Sequence, residues 1–314
     1  MSFITGGKMS IAAKAAMNVL WFINKTGMMD MTIENPEEEL EKARLWNAKH
    51  KFIMPKDHKA YYKEINVAGY PVLLIRSRKK RHVKGKAVLY LHGGMRNSWK
   101  EEIGMARGYS NRTGIEIWYP IYPSMTEVPV TKTIDVIFEV YKTMIKRYSA
   151  NKIAVMGCSF GGQYAFEVVN WNNKHRRPVA MPGLLIANSP GGVPDNDADW
   201  RRMEEFSMSD PLIPIDSMKM IMEVAKLLDD DIPMDALCPN HEDFHNAPET
   251  YVYYATETCA GNADIYSRAY ERDGVADKMH MHIEHGMMHG YSTAPVFPES
   301  RAAYEKQIQL LNEL

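Results

Sequence analysis

The stretch 152–162, KIAVMGCSFGG, decides the fold of this chain. Its apolar first half, 152–156, predicts a short buried strand, and the residues after the serine predict a helix. That serine, Ser159, stands in the pattern G-x-S-x-G, which is typical of a nucleophile on a sharp strand-to-helix turn. Glycine is needed at Gly157 and Gly161 because a side chain there would collide with the neighbouring strand and helix. The stretch therefore predicts a reactive serine at the carboxyl end of a strand.

Strands and helices alternate outward from this turn. Strands are predicted at 61–67, 71–75, 87–91, 115–121, 152–156, 183–187, 250–255 and 278–284. Helices are predicted at 99–109, 134–148, 160–171, 217–228, 263–272 and 299–311. This order predicts an α/β fold with a mostly parallel central sheet and helices on both faces. Ligands bind at the carboxyl ends of the strands in such sheets, so the residues just after strands are the first candidates for a site.

The alternation is absent from two regions, and we expect these to form a helical cap over the serine. The pattern is helical up to about residue 55, where segment 11–23 predicts an amphipathic helix with Ser10 as N-cap and Gly27 as its end. Between 189 and 248, proline, aspartate and methionine are frequent. We expect an N-terminal helical cap segment (1–55), a first part of the core (56–188), a cap insertion (189–248) and a second part of the core (249–314).

Composition argues against several classes of protein. Of 314 residues, 38 are basic and 39 are acidic, so the net charge of -1 argues against a nucleic-acid partner. Segment 11–23 carries Lys14 and is shorter than the roughly 20 residues of a membrane span, so we expect no stable membrane insertion. The basic run 76–84 lies between two predicted strands and is expected to be a solvated hairpin. Only three cysteines are present, which favours a reducing compartment, and we expect a cytoplasmic protein.

The strand predicted at 87–91 ends in His92-Gly93-Gly94-Met95. This sequence resembles the oxyanion loop of lipases and esterases. In such a loop, backbone N–H groups point at the oxygen that becomes negative during the reaction, and paired glycines allow the main chain to come close. We expect the donors to be the N–H groups of Gly94, Met95 and Phe160.

The last predicted strand leads into 284–291, EHGMMHGY. A histidine in this loop can face the serine, and His289, followed by Gly290 and an aromatic residue, is the candidate general base. The overlapping segment 280–285, HMHIEH, resembles a dinuclear metal-binding loop, but it lacks the further downstream ligands that such a site needs. Alternation along a strand explains its first two histidines as neighbours on one face, and we expect no metal.

Together these motifs resemble the hormone-sensitive-lipase branch of the α/β-hydrolase fold over nearly the whole chain. The order of His-Gly-Gly, Tyr119-Pro120, G-x-S-x-G and Gly-x-x-His-Gly-aromatic matches that branch. Segment 210–214, DPLIP, is similar to the one that opens a cap helix. Met95 departs from the pattern, because many members have a third glycine there. The resemblance implies a capped hydrolase without a cofactor, with serine, acid and histidine in that chain order.

The resemblance also gives the position of the acid that orients the histidine. Counting back from Gly274, which closes the following helix, puts Glu257 at the acid position of the family. The branch usually has aspartate there, and glutamate can do the same work with a longer side chain. Asp264 is the rival acid.

The implied activity is that of a carboxylesterase. It would cleave small to medium acyl esters through a Ser-His-Glu triad and an acyl-enzyme intermediate. The alternatives are an amidase or formamidase of the same fold and a non-catalytic ligand-binding member. The expected partner is a small-molecule ester, and the sequence leaves open whether the chain forms a homo-oligomer.

Overall fold

The computed structural model describes residues 4–5, 8–26 and 35–314. These residues form one sheet flanked by helices. The strands are β1 (Ile4–Thr5), β2 (Ala60–Val67), β3 (Tyr70–Ser77), β4 (Ala87–Leu91), β5 (Glu116–Pro120), β6 (Ile153–Cys158), β7 (Leu184–Asn188), β8 (Glu249–Ala255) and β9 (Met279–Glu284). The helices are α1 (Ile11–Lys25), α2 (Pro36–Lys49), α3 (Trp99–Thr113), α4 (Val130–Met144), α5 (Phe160–Lys174), α6 (Asp197–Ser207), α7 (Ile215–Lys226), α8 (Ala263–Arg272) and α9 (Pro298–Glu313).

The strand order across the sheet is β1-β9-β8-β7-β6-β4-β5-β3-β2. Neighbouring strands are parallel except for β2 with β3 and β3 with β5, which are antiparallel. The expected α/β fold with a mostly parallel sheet is therefore confirmed, and the predicted strands and helices are present with their ends shifted by a few residues. Because β6 lies in the middle of the parallel part, the carboxyl ends of its neighbours meet at the serine turn.

Alternation along the strands divides the core between the two faces of the sheet. In β6, Val155 packs into a cluster that includes apolar residues of α4, α5 and the insertion. Its neighbours Ala154 and Met156 pack into the other cluster, together with apolar residues of α3 and α9. All residues of β6 are buried, so the serine turn is supported by packing on both faces of the sheet.

The helices outside the core contact one another. α1 begins after Ser10, whose side chain accepts the N–H of Ala13 as predicted, whereas its predicted end at Gly27 lies outside the described residues. Asn24 of α1 donates to the carbonyl of Pro211 in the insertion, and α2 contacts α7. The N-terminal helices and the insertion are thus in contact, while the fourfold division of the chain stays a prediction. None of the described helices is both long and apolar enough to cross a membrane.

Most of the basic run 76–84 lies in the connection from β3 to β4, and the expectation of a hairpin is wrong. β5 lies between these two strands in the sheet, so β3 and β4 do not pair with each other. The basic side chains of the run are exposed, in agreement with a solvated segment.

Candidate active site

Ser159 lies in the turn between β6 and α5, at the centre of the sheet. Its φ of 58° is in the left-handed region that residues other than glycine rarely adopt. The turn is so tight that a Cβ on Gly157 would lie 2.2 Å from the carbonyl oxygen of Gly161. A Cβ on Gly161 would lie 2.2 Å from the carbonyl oxygen of Leu91. These contacts leave room for glycine alone and hold the serine in its strained conformation.

The loop after β4 lies against this turn. A Cβ on Gly93 would lie 2.6 Å from the carbonyl oxygen of Cys158 and 3.0 Å from Cβ of Ser159. Gly94 follows with a φ of 83°, which also favours glycine. Phe160 is the first residue of α5, and the first N–H groups of a helix have no acceptor within it. The structure therefore brings the glycine loop and the N-terminus of α5 together beside the serine.

Asn47 of α2 restrains this loop, although no motif in the sequence marks it. Its amide nitrogen donates to the carbonyl of Met95 (3.3 Å), and its amide oxygen accepts the N–H of Asn97 (2.8 Å). The hydroxyl of Thr126 donates to the same Met95 carbonyl (3.1 Å). Asn47 is buried. A lone asparagine in a polar helix gives no sequence signal of such a role, because its partners come from distant segments.

Two titratable groups lie behind the loop. His92 is buried and stacks on Tyr122 with ring centroids 3.9 Å apart, and burial lowers the pKa of His92 to about 4. Burial raises the pKa of Glu102, in α3, to about 7. A hydrogen bond from the backbone of Gly93 acts in the opposite direction but is outweighed. One carboxyl oxygen of Glu102 is buried without a partner in the part of the chain that the structure describes. The loop thus rests on a neutral imidazole and a carboxyl group that titrates near neutral pH.

His289 and Glu257 follow the adjacent strands β9 and β8, and the structure brings them together. Nδ1 of His289 lies 3.1 Å from Oε2 of Glu257, whose side chain is fully buried. Burial by itself would lower the pKa of His289, but the charge of Glu257 and its hydrogen bond outweigh burial and raise it. The other ring nitrogen, Nε2, is buried and has no hydrogen-bond partner among the described residues. The imidazole therefore has one nitrogen fixed by a carboxylate and one available for a further proton donor.

The end of β7 connects the serine turn to the histidine loop. The carbonyl of Asn188 accepts the N–H of Ser159 (2.9 Å). The hydroxyl of the next residue, Ser189, accepts the N–H of Gly290 (3.0 Å). In addition, a Cβ on Gly290 would lie 3.0 Å from Sγ of Cys158. The neighbours of His289 and of Ser159 in the chain are thus in contact.

Asp264, the rival acid, lies elsewhere. Its side chain is 51% exposed, and its ion-pair partner is Arg202 at 3.8 Å. The structure therefore brings Glu257, and not Asp264, to the histidine.

A second carboxylate, Asp210 of the insertion, lies close to Glu257. One of its oxygens accepts the N–H of Thr258 (3.0 Å), the residue directly after Glu257. Burial and the charge of Glu257 raise the pKa of Asp210, although backbone N–H groups and His289 act in the opposite direction. In the sequence, Asp210 stands out only as the first residue of the segment that resembles the start of a cap helix. Its position next to Glu257 depends on the tertiary fold and has no sequence signal.

His280 and His282 of the segment 280–285 have different partners. Nε2 of His280 lies 2.7 Å from a carboxylate oxygen of Glu249, and Nε2 of His282 lies 3.0 Å from one of Glu284. The two histidines are two residues apart in β9 and therefore share a face. Each of them pairs with a different glutamate.

A mostly parallel sheet with a G-x-S-x-G turn at its centre, and a loop histidine after its last strand in the chain, defines the α/β-hydrolase class of proteins. In agreement with this, the family model described as alpha/beta hydrolase fold matches residues 88–293. The chain belongs to the α/β-hydrolase fold family. No curated protein matches its sequence.

Solved structures of similar fold include several esterases. One is an esterase/lipase from an uncultured bacterium, with a TM-score of 0.76 and 18% identity over 97% of this chain and 98% of that chain. Another is EstE5 soaked with p-nitrophenyl butyrate, with a TM-score of 0.75 and 19% identity over 97% and 98% of the two chains. A third is an esterase from the bacterial hormone-sensitive lipase family, with a TM-score of 0.74 and 18% identity over 95% and 98%. The resemblance drawn from the motifs is thereby confirmed at the level of the fold.

Proposed function

We propose that this protein is a carboxylesterase that cleaves small to medium acyl esters through Ser159, His289 and Glu257. One observation carries the proposal: a buried glutamate fixes one nitrogen of His289, while the other nitrogen is unpartnered among the described residues. The loop that holds this histidine touches the serine turn. A histidine so arranged can accept a hydroxyl proton. The names esterase and lipase carried by proteins of the same fold support an ester as the bond that is cleaved.

In the first step, Nε2 of His289 takes the hydroxyl proton of Ser159 while Oγ attacks the carbonyl carbon of the ester. Glu257 keeps the ring oriented and stabilises the imidazolium that forms. His289 then gives the proton to the leaving alcohol, which leaves an acyl group on Ser159. Water repeats the sequence on this acyl-enzyme and releases the acid.

The negative oxygen of each tetrahedral intermediate accepts hydrogen bonds from the N–H groups of Gly94, Met95 and Phe160. Two of these donors belong to the loop that Asn47 restrains, and the third begins α5, where the helix dipole favours negative charge. Backbone donors that are already fixed need no rearrangement as the charge develops. The motif residue His92 supports the loop in its neutral form.

The test is a panel of p-nitrophenyl esters of increasing acyl chain length, run beside matching aryl amides. The wild type should hydrolyse the short and medium esters, and Ser159→Ala should lower kcat/KM by a factor of about 10⁴ or more. Ser149→Ala, at an exposed serine ahead of β6, is the matched control and should keep the wild-type rate. Equal hydrolysis by the wild type and Ser159→Ala would overturn the mechanism.

The same panel separates the alternatives. Hydrolysis of amides in preference to esters, lost in Ser159→Ala, would identify an amidase of this fold. A fluorophosphonate that fails to label Ser159 would identify a non-catalytic ligand-binding protein.

We also propose that the protein works in the cytoplasm. Its three cysteines, Cys158, Cys238 and Cys259, are all buried and unpaired, which suits a reducing compartment. Fractionation of cells that express the tagged full chain tests this location, and recovery of the protein outside the cytoplasm would contradict it.

A further inference from the structure

We propose that Asp195, Cys238 and His241 form a zinc site that fastens the two ends of the cap insertion together. A carboxylate oxygen, a sulfur and an imidazole nitrogen of these residues all lie within 4.8 Å of one another. Zinc binds the same three ligand types at about 2.0–2.3 Å, so ligand atoms of a tetrahedral ion stand roughly 3.3–3.8 Å apart. The cluster needs only small side-chain movements to reach that geometry, and water completes the tetrahedron.

The spacing of two of the ligands is that of a metal-binding turn. Cys238 and His241 are separated by two residues, within the range of short spacings that pair ligands in zinc sites. Residues Pro239–His241 form a single 3-10 turn, which keeps both side chains at one end of the insertion.

Both carboxylate oxygens of the third ligand, Asp195, are held by hydrogen bonds, and a metal would replace the one to His241. Oδ1 of Asp195 accepts hydrogen bonds from the side-chain amides of Asn240 (2.7 Å) and Asn196 (3.0 Å). Its Oδ2 lies 2.9 Å from Nε2 of His241. Hydrogen bonds of this kind orient the ligands of a metal and increase its affinity. Cys238 is buried, but the side chains of His241 and Asp195 are 46% and 26% exposed, so an ion can enter from solvent.

The site lies where the ends of the insertion meet. The N–H of Val193 donates to the carbonyl of Leu237 (2.9 Å), and a Cβ on Gly192 would lie 2.8 Å from the ring of Pro239. The chain between these contacts contains both helices of the insertion, α6 and α7. A bound ion would close this long loop and stabilise the folded insertion, because metal affinity absent from the unfolded chain adds to folding stability. The role is structural, since none of the ligands belongs to the proposed triad.

The test adds Zn²⁺ or Co²⁺ to full-length protein that has been stripped of metal. The wild type should bind a single equivalent of Zn²⁺ with a rise in Tm, and Co²⁺ should give a thiolate-to-cobalt charge-transfer band. Cys238→Ser should abolish that band. His241→Gln should weaken Zn²⁺ binding by about tenfold or more, because even the loss of a group that only supports a ligand has such an effect. His245→Gln is the matched control and should bind as the wild type does.

This control discriminates between sites, because His245 belongs to a second cluster with Asp243 and Asp273 that contains no sulfur. The proposal is overturned if the wild type binds neither ion, or if His245→Gln weakens binding and His241→Gln does not. A cobalt band that survives in Cys238→Ser also overturns it, since the sulfur would then come from another cysteine. If Cys238→Ser does not fold, the two histidine variants decide, and equal affinities for Zn²⁺ overturn the proposal.

Discussion

The serine turn and the acid-histidine pair are held in place by different forces. Ser159 is fixed by backbone atoms in direct contact, because Gly157 and Gly161 leave no room for a side chain. Glu257 and His289 are fixed by hydrogen bonds and charge between segments far apart in the chain. Substitutions in the serine turn should therefore mainly change stability. Substitutions in the acid-histidine pair should mainly change activity and its pH dependence.

Gly157→Ala should have the largest effect on stability, because it acts on the region held by contact. Its Cβ would lie 2.2 Å from a backbone oxygen that cannot move without disturbing the start of α5. We expect the free energy of unfolding in urea to fall by about 4 kcal/mol or more. Gly104→Ala is the matched control, since its Cβ would meet only the end of the Arg107 side chain at 3.9 Å, and it should stabilise α3 by up to about 1 kcal/mol. Equal stabilities of the two variants would contradict the steric account.

Glu257→Gln should act on the other region and lower kcat by about 10³–10⁴, because an amide does not stabilise the imidazolium. The variant should also move the acidic limb of the kcat/KM profile to lower pH. The reason is that the charge of Glu257 raises the pKa of His289, and the base works only when it is neutral. Asp264→Asn is the control and should change neither quantity. Loss of activity in Asp264→Asn alone would restore the rival acid.

Glu102→Gln tests whether stability near the serine turn also depends on pH. Burial raises the pKa of Glu102 to about 7, above the 4.5 of an unperturbed glutamate, so the folded state holds a proton that the unfolded state has lost. The contribution of Glu102 to stability should be most favourable below about pH 4.5 and should become less favourable by about 3 kcal/mol as the pH rises from there through 7. Glu102→Gln should remove this part of the slope in urea unfolding between about pH 5 and pH 8. An unchanged slope, or the same change in Glu101→Gln at the exposed neighbouring position, would contradict the assignment.

Asp210→Asn should have the smallest effect on activity. It tests whether Asp210 acts through its charge or only through packing. Asp210 reaches the acid through one hydrogen bond to Thr258, so kcat at neutral pH should fall by about fivefold, the equivalent of about 1 kcal/mol. Its charge raises the pKa of His289, so the acidic limb of kcat/KM should move to lower pH. Asp199→Asn, which removes a cap carboxylate paired with Arg268, should leave that limb in place. A loss of stability without movement of the limb would assign Asp210 to packing alone.

The features that short-range sterics determine could be predicted from the sequence. Gly157 is required by a contact within its own turn, with Gly161, so the local sequence pattern predicts it, whereas Gly161 and Gly93 are also required by contacts between the serine turn and the loop after β4. The alternation of apolar strands and helices is also a pattern in consecutive residues, and it predicts the sheet. Helix α6 was missed, because its segment is mostly polar and only Asp199 and Met203 of it are buried.

The features that depend on tertiary approach could not be predicted from the residues alone. The sequence offered both Glu257 and Asp264, and the end of β8 beside β9 brings only the first to His289. Asn47 and Asp210 are polar residues whose partners lie far along the chain. The hairpin expected between β3 and β4 was wrong, because β5 takes the place between them.

The contact of Gly161 with the carbonyl oxygens of Leu91 and His92 limits how such a protein can diversify. A substitution that displaces the serine turn also displaces the loop after β4, so neither can be adjusted without the other. Apart from Asn47 of α2, which restrains the loop, the N-terminal helices and the insertion can be rebuilt while this pair stays as it is. New substrate preferences in this lineage are therefore expected to accumulate in the cap, with the chemistry inherited unchanged.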